Sequence, residues 1–319
     1  MNALRVNNGR VSVEDIARPD AKGEALVRVL LSGICSTDLE IVRGYAGFNG
    51  TIGHEFVGIV ESCASRPEMV GKRVVGEINA GCGMCSLCLI GDARHCAGRT
   101  VLGIQGRDGA HAEFLTLPAR NLVLVPDDVS DESAVFAEPL AAAYEIGERV
   151  EIRNDSKVAV IGDGKLGLLC AMTAALVSES VTMIGKHPEK LAIAEKRGVE
   201  GILVDEAAKL GRSFEVVIEA SGSESGFATA LEIVIPRWGT IVLKSTFHGK
   251  TSFNASQVVV EEISIVGSRC GRLAPAVDFL ASHMVSVDDL VSEEYSLANG
   301  VSALEHAARP GVLKVLLRP

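Results

Sequence analysis

Val158-Ala159-Val160-Ile161-Gly162-Asp163-Gly164-Lys165-Leu166-Gly167 runs from an unbroken β-type stretch, through glycines spaced G-x-G-x-x-G, into a helical segment. Such spacing alone is common; a strand before it and a helix after it predict a loop built to carry a pyrophosphate. Gly162 gives the tight turn, Gly164 lets the backbone approach the phosphates, and Gly167 lets the helix pack on the strand. The anion would rest on the positive end of the helix that opens near Leu166. Asp163 is an unexpected choice beside a pyrophosphate, and Lys165 is a candidate to offset it. About twenty residues further on, a carboxylate at the end of the second strand would hold the adenosine ribose of NAD. Here Val181-Thr182-Met183-Ile184 ends in Gly185-Lys186-His187-Pro188, with no carboxylate and with two groups able to carry positive charge. Glycine then makes room for a 2′-phosphate that Lys186 and His187 could pair with, which predicts preference for NADP.

Working outward, strands alternate with helices: a helix over 166–177, a strand over 181–184, a helix over 188–197, then strands over 216–218, 240–243 and 263–266. That alternation implies an α/β, doubly wound parallel sheet with both faces covered. The first 130 or so residues differ. Short β-type runs at 25–31, 56–60, 73–75, 112–117 and 122–125, separated by glycine and proline, predict a β-rich module. Pro139 marks the first turn of a helix that joins the two parts. The last fifty residues hold helices near 275–282 and 302–308 and a β-type run at 312–317. No internal repeat or low-complexity segment is visible.

Within the β-rich part stand Cys82, Cys85, Cys88 and Cys96, at gaps of two, two and seven residues. Four thiolates so spaced can reach the corners of one tetrahedron, as Zn²⁺ requires. Disulfides are the alternative, but neighbouring cysteines would have to close strained small loops, and no secretory signal precedes them. A structural zinc in a lobe over 82–96 is therefore expected. The chain has 319 residues, 47% hydrophobic and 23% charged, enough for two soluble domains. A formal net charge of −10 argues against nucleic acid or an anionic membrane as partner. No apolar run approaches 18 residues, and a cytoplasmic location is expected.

Cys35 in Gly33-Ile34-Cys35-Ser36-Thr37-Asp38, His54 in Gly53-His54-Glu55, and Glu138 in Ala137-Glu138-Pro139 each sit beside glycine or at an element boundary. Each alone has an ordinary structural explanation. His95, His111 and His248 are read as structural histidines, and Lys244, Lys250 and Trp238 carry no functional signal.

Taken together, these segments, with Gly53-His54-Glu55-Phe56-Val57-Gly58, the four-cysteine lobe, Asp108-Gly109-Ala110-His111-Ala112-Glu113-Phe114, Glu138-Pro139-Leu140 and the glycine loop, resemble the zinc-dependent medium-chain dehydrogenase/reductase family, the alcohol, sorbitol and threonine dehydrogenase group. The resemblance implies a GroES-like catalytic domain (1–137 with 270–319) interrupted by a Rossmann domain (138–269). By position it implies Cys35, His54 and Glu138 as catalytic zinc ligands, Glu55 as an alternate ligand, and Asp38 as the carboxylate orienting the ligand imidazole. Thr37 matches the hydroxyl that takes the substrate proton. Glu40 stands where well-known members have a relay histidine. Ser268 and Arg269 resemble a strand end near the nicotinamide, and Lys314 a basic residue approaching the cofactor phosphates. The implied function is a zinc-dependent alcohol or polyol dehydrogenase using NAD(P), working as a homodimer or homotetramer on a small alcohol, aldehyde or ketone. An NADPH-dependent carbonyl reductase and a non-catalytic NADPH-binding member are the rivals. The segment 44–53 lacks the prolines usual in the family, which leaves Tyr45 and Phe48 as candidate pocket residues; Glu138 in place of cysteine leans toward polyols.

Overall fold

The structure is a computed structural model that describes residues 1–245 and 251–319, so His248 and Lys250 lie outside the described residues. The chain separates into two compact units, Met1–Glu138 with Leu273–Pro319, and Pro139–Arg272.

The second unit is a six-stranded, all-parallel sheet in the order Glu200–Leu203, Ser180–Gly185, Lys157–Ile161, Val216–Glu219, Thr240–Leu243, Ser264–Gly267. Lys157–Ile161 lies in the middle because its apolar side chains need cover on both faces; residues 158–161 are at most 3% exposed. From it the chain first builds outward to one side and then returns to build the other. The glycine loop thus leaves the sheet where strand order reverses, the place at which open α/β sheets bind ligands. Helices Lys165–Ala175 and Pro188–Glu195 follow their strands as the alternation predicts, and a further helix, Glu224–Ile233, follows Val216–Glu219. The strand Glu200–Leu203 is an addition to that expectation: four half-exposed residues at the sheet edge carry too little apolar signal to stand out.

In the first unit the strands Ala25–Gly33 and Glu55–Cys63 pair antiparallel at the centre of a seven-stranded sheet. The strand Lys314–Arg318 returns to lie against Ala25–Gly33, with Leu316 opposite Gly33, and pairs on its other side with Val291–Ser296. Gly33 also faces Glu55, so three distant stretches of chain meet at one glycine. A second sheet places Asn2–Asn7 between Arg10–Asp15 and Gly50–Thr51, over a core that includes Leu4, Ile34, Ile41, Ile52 and Leu317. No helix among the described residues is long and apolar enough to cross a membrane.

Candidate functional site

Cys35, His54 and Glu55 bring one ligand atom each to within 4.8 Å of one another. Cys35 is the N-cap of helix Ser36–Val42, and Glu55 is the first residue of its strand. His54 follows Gly53, whose φ of +95° favours glycine; a Cβ there would strike the His111 ring at 2.6 Å.

Asp38 ties these pieces together. It is fully buried, its Oδ2 accepts from the Cys35 backbone N–H at 2.8 Å, and its Oδ1 accepts from the Gly53 N–H at 3.1 Å. His54 Nδ1 lies 3.5 Å from Oδ1, and His111 Nε2 lies 3.5 Å from Oδ2. Burial alone would raise the Asp38 pKa; the His54 imidazole, with help from His111, holds it well below the usual carboxylate range. Burial likewise disfavours a charged His54, but Asp38 and then Cys35 hold its pKa well above the ordinary value. His111, read from sequence as merely structural, is wedged between Asp38 and Ser32, whose Oγ is 2.9 Å from Nδ1. The signal that it touches the site is its packing under Gly53, which spacing does not reveal.

Glu138 is not part of the three-residue group. It stands half-buried in the first turn of helix Ala137–Arg149, while Glu55, the alternate ligand, is the carboxylate that the strand start brings beside Cys35 and His54. Lys314, a candidate to approach the cofactor phosphates, is fully buried; its Nζ bonds Glu55 Oε2 and lies 5.5 Å from the Phe136 ring centroid. Gly33 makes space for this pair: a Cβ there would lie 2.7 Å from Glu55 Oε2 and 3.2 Å from Lys314 Cδ. The other oxygen, Glu55 Oε1, is buried with no hydrogen-bond partner among the described residues.

Thr37 Oγ1 is 3.7 Å from Cys35 Sγ. Glu40, one turn on, takes a 2.6 Å bond from Arg43. Phe48 packs onto the core and Tyr45 is 38% exposed.

All eight cysteines are free, and Cys82, Cys85, Cys88 and Cys96 form a second group whose sulfurs lie within 4.8 Å of one another. The backbone N–H groups of Met84 and Cys85 favour the Cys82 thiolate and lower its pKa to about 6. The Gly83 N–H favours the Cys88 thiolate as well, but burial and bonds among the thiols push Cys88 up to about 11. N–H groups aimed at sulfur stabilise thiolate, the form a metal needs. At Gly81 the lobe is tight, since a Cβ there would meet Cys88 Sγ at 2.7 Å.

In the second unit Gly162 has φ +111°, and a Cβ on Gly167 would meet Gly162 O at 1.8 Å. Gly164, the N-cap of helix Lys165–Ala175, has nothing within 4 Å of its Cβ direction. That open cradle at a helix start, followed by Lys165 and Leu166, fits a phosphate chain. Lys186 is exposed and His187 half-buried at the turn after Ser180–Gly185. Arg269 is exposed; Ser268 Oγ accepts from buried Lys244 at 3.1 Å, a role for Lys244 with no trace in the sequence.

Donor chemistry fits zinc at both groups: four thiols at one, and at the other a thiol, an imidazole and an unpartnered carboxylate oxygen. With a glycine cradle on a six-stranded parallel sheet and a separate β-rich unit, these features define a zinc-dependent, nicotinamide-linked dehydrogenase. The chain belongs to the zinc-containing medium-chain alcohol dehydrogenase family: residues 21–127 match the alcohol dehydrogenase GroES-like domain, and residues 166–282 match the zinc-binding dehydrogenase family. It is 30% identical to erythritol/L-threitol dehydrogenase of Mycolicibacterium smegmatis over 93% of this chain and 91% of that protein. A structure assigned as a zinc-binding dehydrogenase of Sinorhizobium meliloti, bound to NADP, is 26% identical with a TM-score of 0.91 over 100% of this chain and 99% of that one. An alcohol dehydrogenase of Escherichia coli, complexed with NADH, is 25% identical with a TM-score of 0.91 over the same shares.

Proposed function

We propose that this chain moves a hydride between the carbinol carbon of a small alcohol or polyol and NAD(P), with Cys35, His54 and Glu55 holding the catalytic zinc and the four-cysteine lobe holding a structural one. The observation that carries this is the buried Glu55 Oε1, with no hydrogen-bond partner among the described residues, beside a thiol and an imidazole. An unpaired buried carboxylate oxygen costs free energy that a divalent cation offsets. Bound zinc supplies Lewis-acid polarisation of an alcohol or carbonyl oxygen, and the nicotinamide takes or gives the hydride. The chain's own residues do the rest. Asp38 faces His54 Nδ1, which leaves Nε2 for the metal and fixes the ring's orientation. Thr37 takes the proton of the substrate hydroxyl, and Glu40, three positions on and so on the same helix face, passes it outward. Glu138 is a candidate to join the ion once it is bound. The polyol lean rests on Glu138 and on the relative that acts on erythritol and threitol.

Pure protein is expected to hold about two zinc ions per chain, one for each group. It is also expected to give a cofactor-coupled absorbance change with some member of a panel of alcohols, polyols and aldehydes tested in both directions. Turnover confined to carbonyl reduction would favour the reductase. One zinc per chain and no turnover anywhere on the panel would reject the dehydrogenase reading in favour of a non-catalytic nucleotide binder.

Replacing Glu40 by glutamine is expected to slow turnover about tenfold or more and to alter the pH-rate profile, as loss of a proton carrier does. An unchanged profile would remove Glu40 from the relay and leave it as the partner of Arg43.

A further inference from the structure

The strand end that lacks a carboxylate in sequence has one in space. Asp163, between the first two glycines of the loop, is 8% exposed and turns its side chain onto the residues that follow Ser180–Gly185. Its Oδ2 accepts from the backbone N–H of Lys186 at 2.6 Å and of His187 at 2.7 Å, and lies 2.9 Å from His187 Nδ1. Two successive N–H groups aimed at one oxygen form an anion-binding nest. That nest, at the point where a 2′-phosphate would have to be held, is already filled. Opposite an acceptor, His187 Nδ1 must carry the proton, which a neutral imidazole does in one tautomer; positive charge on His187 is not required.

Glycine at 185 is explained by the same packing. A Cβ there would lie 2.6 Å from Asp163 Cβ, 2.7 Å from Oδ2 and 2.9 Å from Cγ, so positions 163 and 185 compete for one space. A carboxylate can be supplied from either position, and here the loop supplies it. The second oxygen, Oδ1, makes no hydrogen bond among the described residues.

We propose that Asp163 replaces the missing strand-end carboxylate as the residue that selects the cofactor: Oδ1 accepts a hydrogen bond from the ribose 2′-hydroxyl, and the fixed charge disfavours a 2′-phosphate. This rests on the reading of 162–167 as a dinucleotide loop, and it turns the expectation of NADP preference toward NAD. Lys186 offsets part of the charge but leaves the acceptor in place.

The test is calorimetric titration of the full-length, zinc-loaded protein with NADH and with NADPH, in the absence of any alcohol. Wild type is expected to bind NADH more tightly. Asp163→Asn keeps the shape and removes the charge, and it is expected to shift the affinity ratio toward NADPH by about tenfold or more, as loss of one unit-charge repulsion in a partly solvated site allows. The exchange variant Asp163→Gly with Gly185→Asp is expected to restore the preference for NADH. Tighter binding of NADPH by wild type, or equal weakening of both cofactors in Asp163→Asn, would overturn the proposal; the second result would reduce Asp163 to a brace for the turn. Binding with the expected preference but without alcohol turnover leaves this proposal standing and defeats the dehydrogenase reading. Failure of wild type to bind either cofactor defeats both.

Discussion

Cys35→Ala is expected to lower the zinc content from about two to about one per chain and to cut alcohol oxidation by about a thousandfold or more, while calorimetric binding of NADH changes little. The metal arithmetic follows from the two separate groups of ligands, only one of which contains Cys35. The rate follows from charge: several kcal/mol of transition-state stabilisation come from a Lewis acid on the reacting oxygen, and each ~1.4 kcal/mol is tenfold in rate. Nucleotide binding is spared because the glycine loop belongs to the other unit. Full zinc content in the variant, or activity within about tenfold of wild type, would show that the ion is held without Cys35 and would dissolve the proposed site.

Lys314→Met is expected to destabilise the metal-free protein by about 3–5 kcal/mol, the usual consequence of leaving one partner of a buried ion pair without the other. Both side chains are at most 1% exposed, so water cannot take over the solvation of Glu55. Zinc should recover part of the loss, because a cation shared with Cys35 and His54 then faces the same carboxylate. The measurable signature is a wider gap between the melting temperatures of metal-free and zinc-loaded protein in the variant than in wild type. Adding Glu55→Gln should restore most of the metal-free stability and bring the gap back to its wild-type size or below, the remainder being the contribution of zinc in the four-cysteine lobe. If Lys314→Met melts with wild type in the absence of metal, the pair is not the closed contact described and Glu55 is solvated by another route.

The sequence carried the fold through contrasts of short range. Val158 to Gly167 holds strand, turn and helix in ten consecutive residues, and the four cysteines of the lobe lie within fifteen. Features that depend on register between distant segments were not legible in the same way. The resemblance puts Glu138 first as ligand and Glu55 second; strand pairing opposite Gly33 is what brings Glu55 beside Cys35, a placement that no spacing in the chain reveals. Lys314 lies 259 residues from the carboxylate it neutralises, a separation at which a lone lysine in a β-type run offers no signal. Asp163 was conspicuous as an oddity in its loop, but its purpose depends on residues 23 and 24 positions later curling back over it. His111 was read as structural because nothing near it in the chain announces Asp38.

The strand Lys314–Arg318 lies beside Ala25–Gly33, with the whole of Pro139–Arg272 inserted between the two halves of that unit. On the ribosome, the inserted unit is contiguous and can close while the unit around it is still waiting for its returning strand. Until residue 314 has been made, Glu55 has no lysine to lean on, and the early half must linger with an open sheet edge of the kind that invites misassembly. Zinc captured by Cys35, His54 and Glu55 during that interval would act as a placeholder counter-charge, so metal supply during synthesis should govern the yield of folded protein as well as the activity of what has already folded.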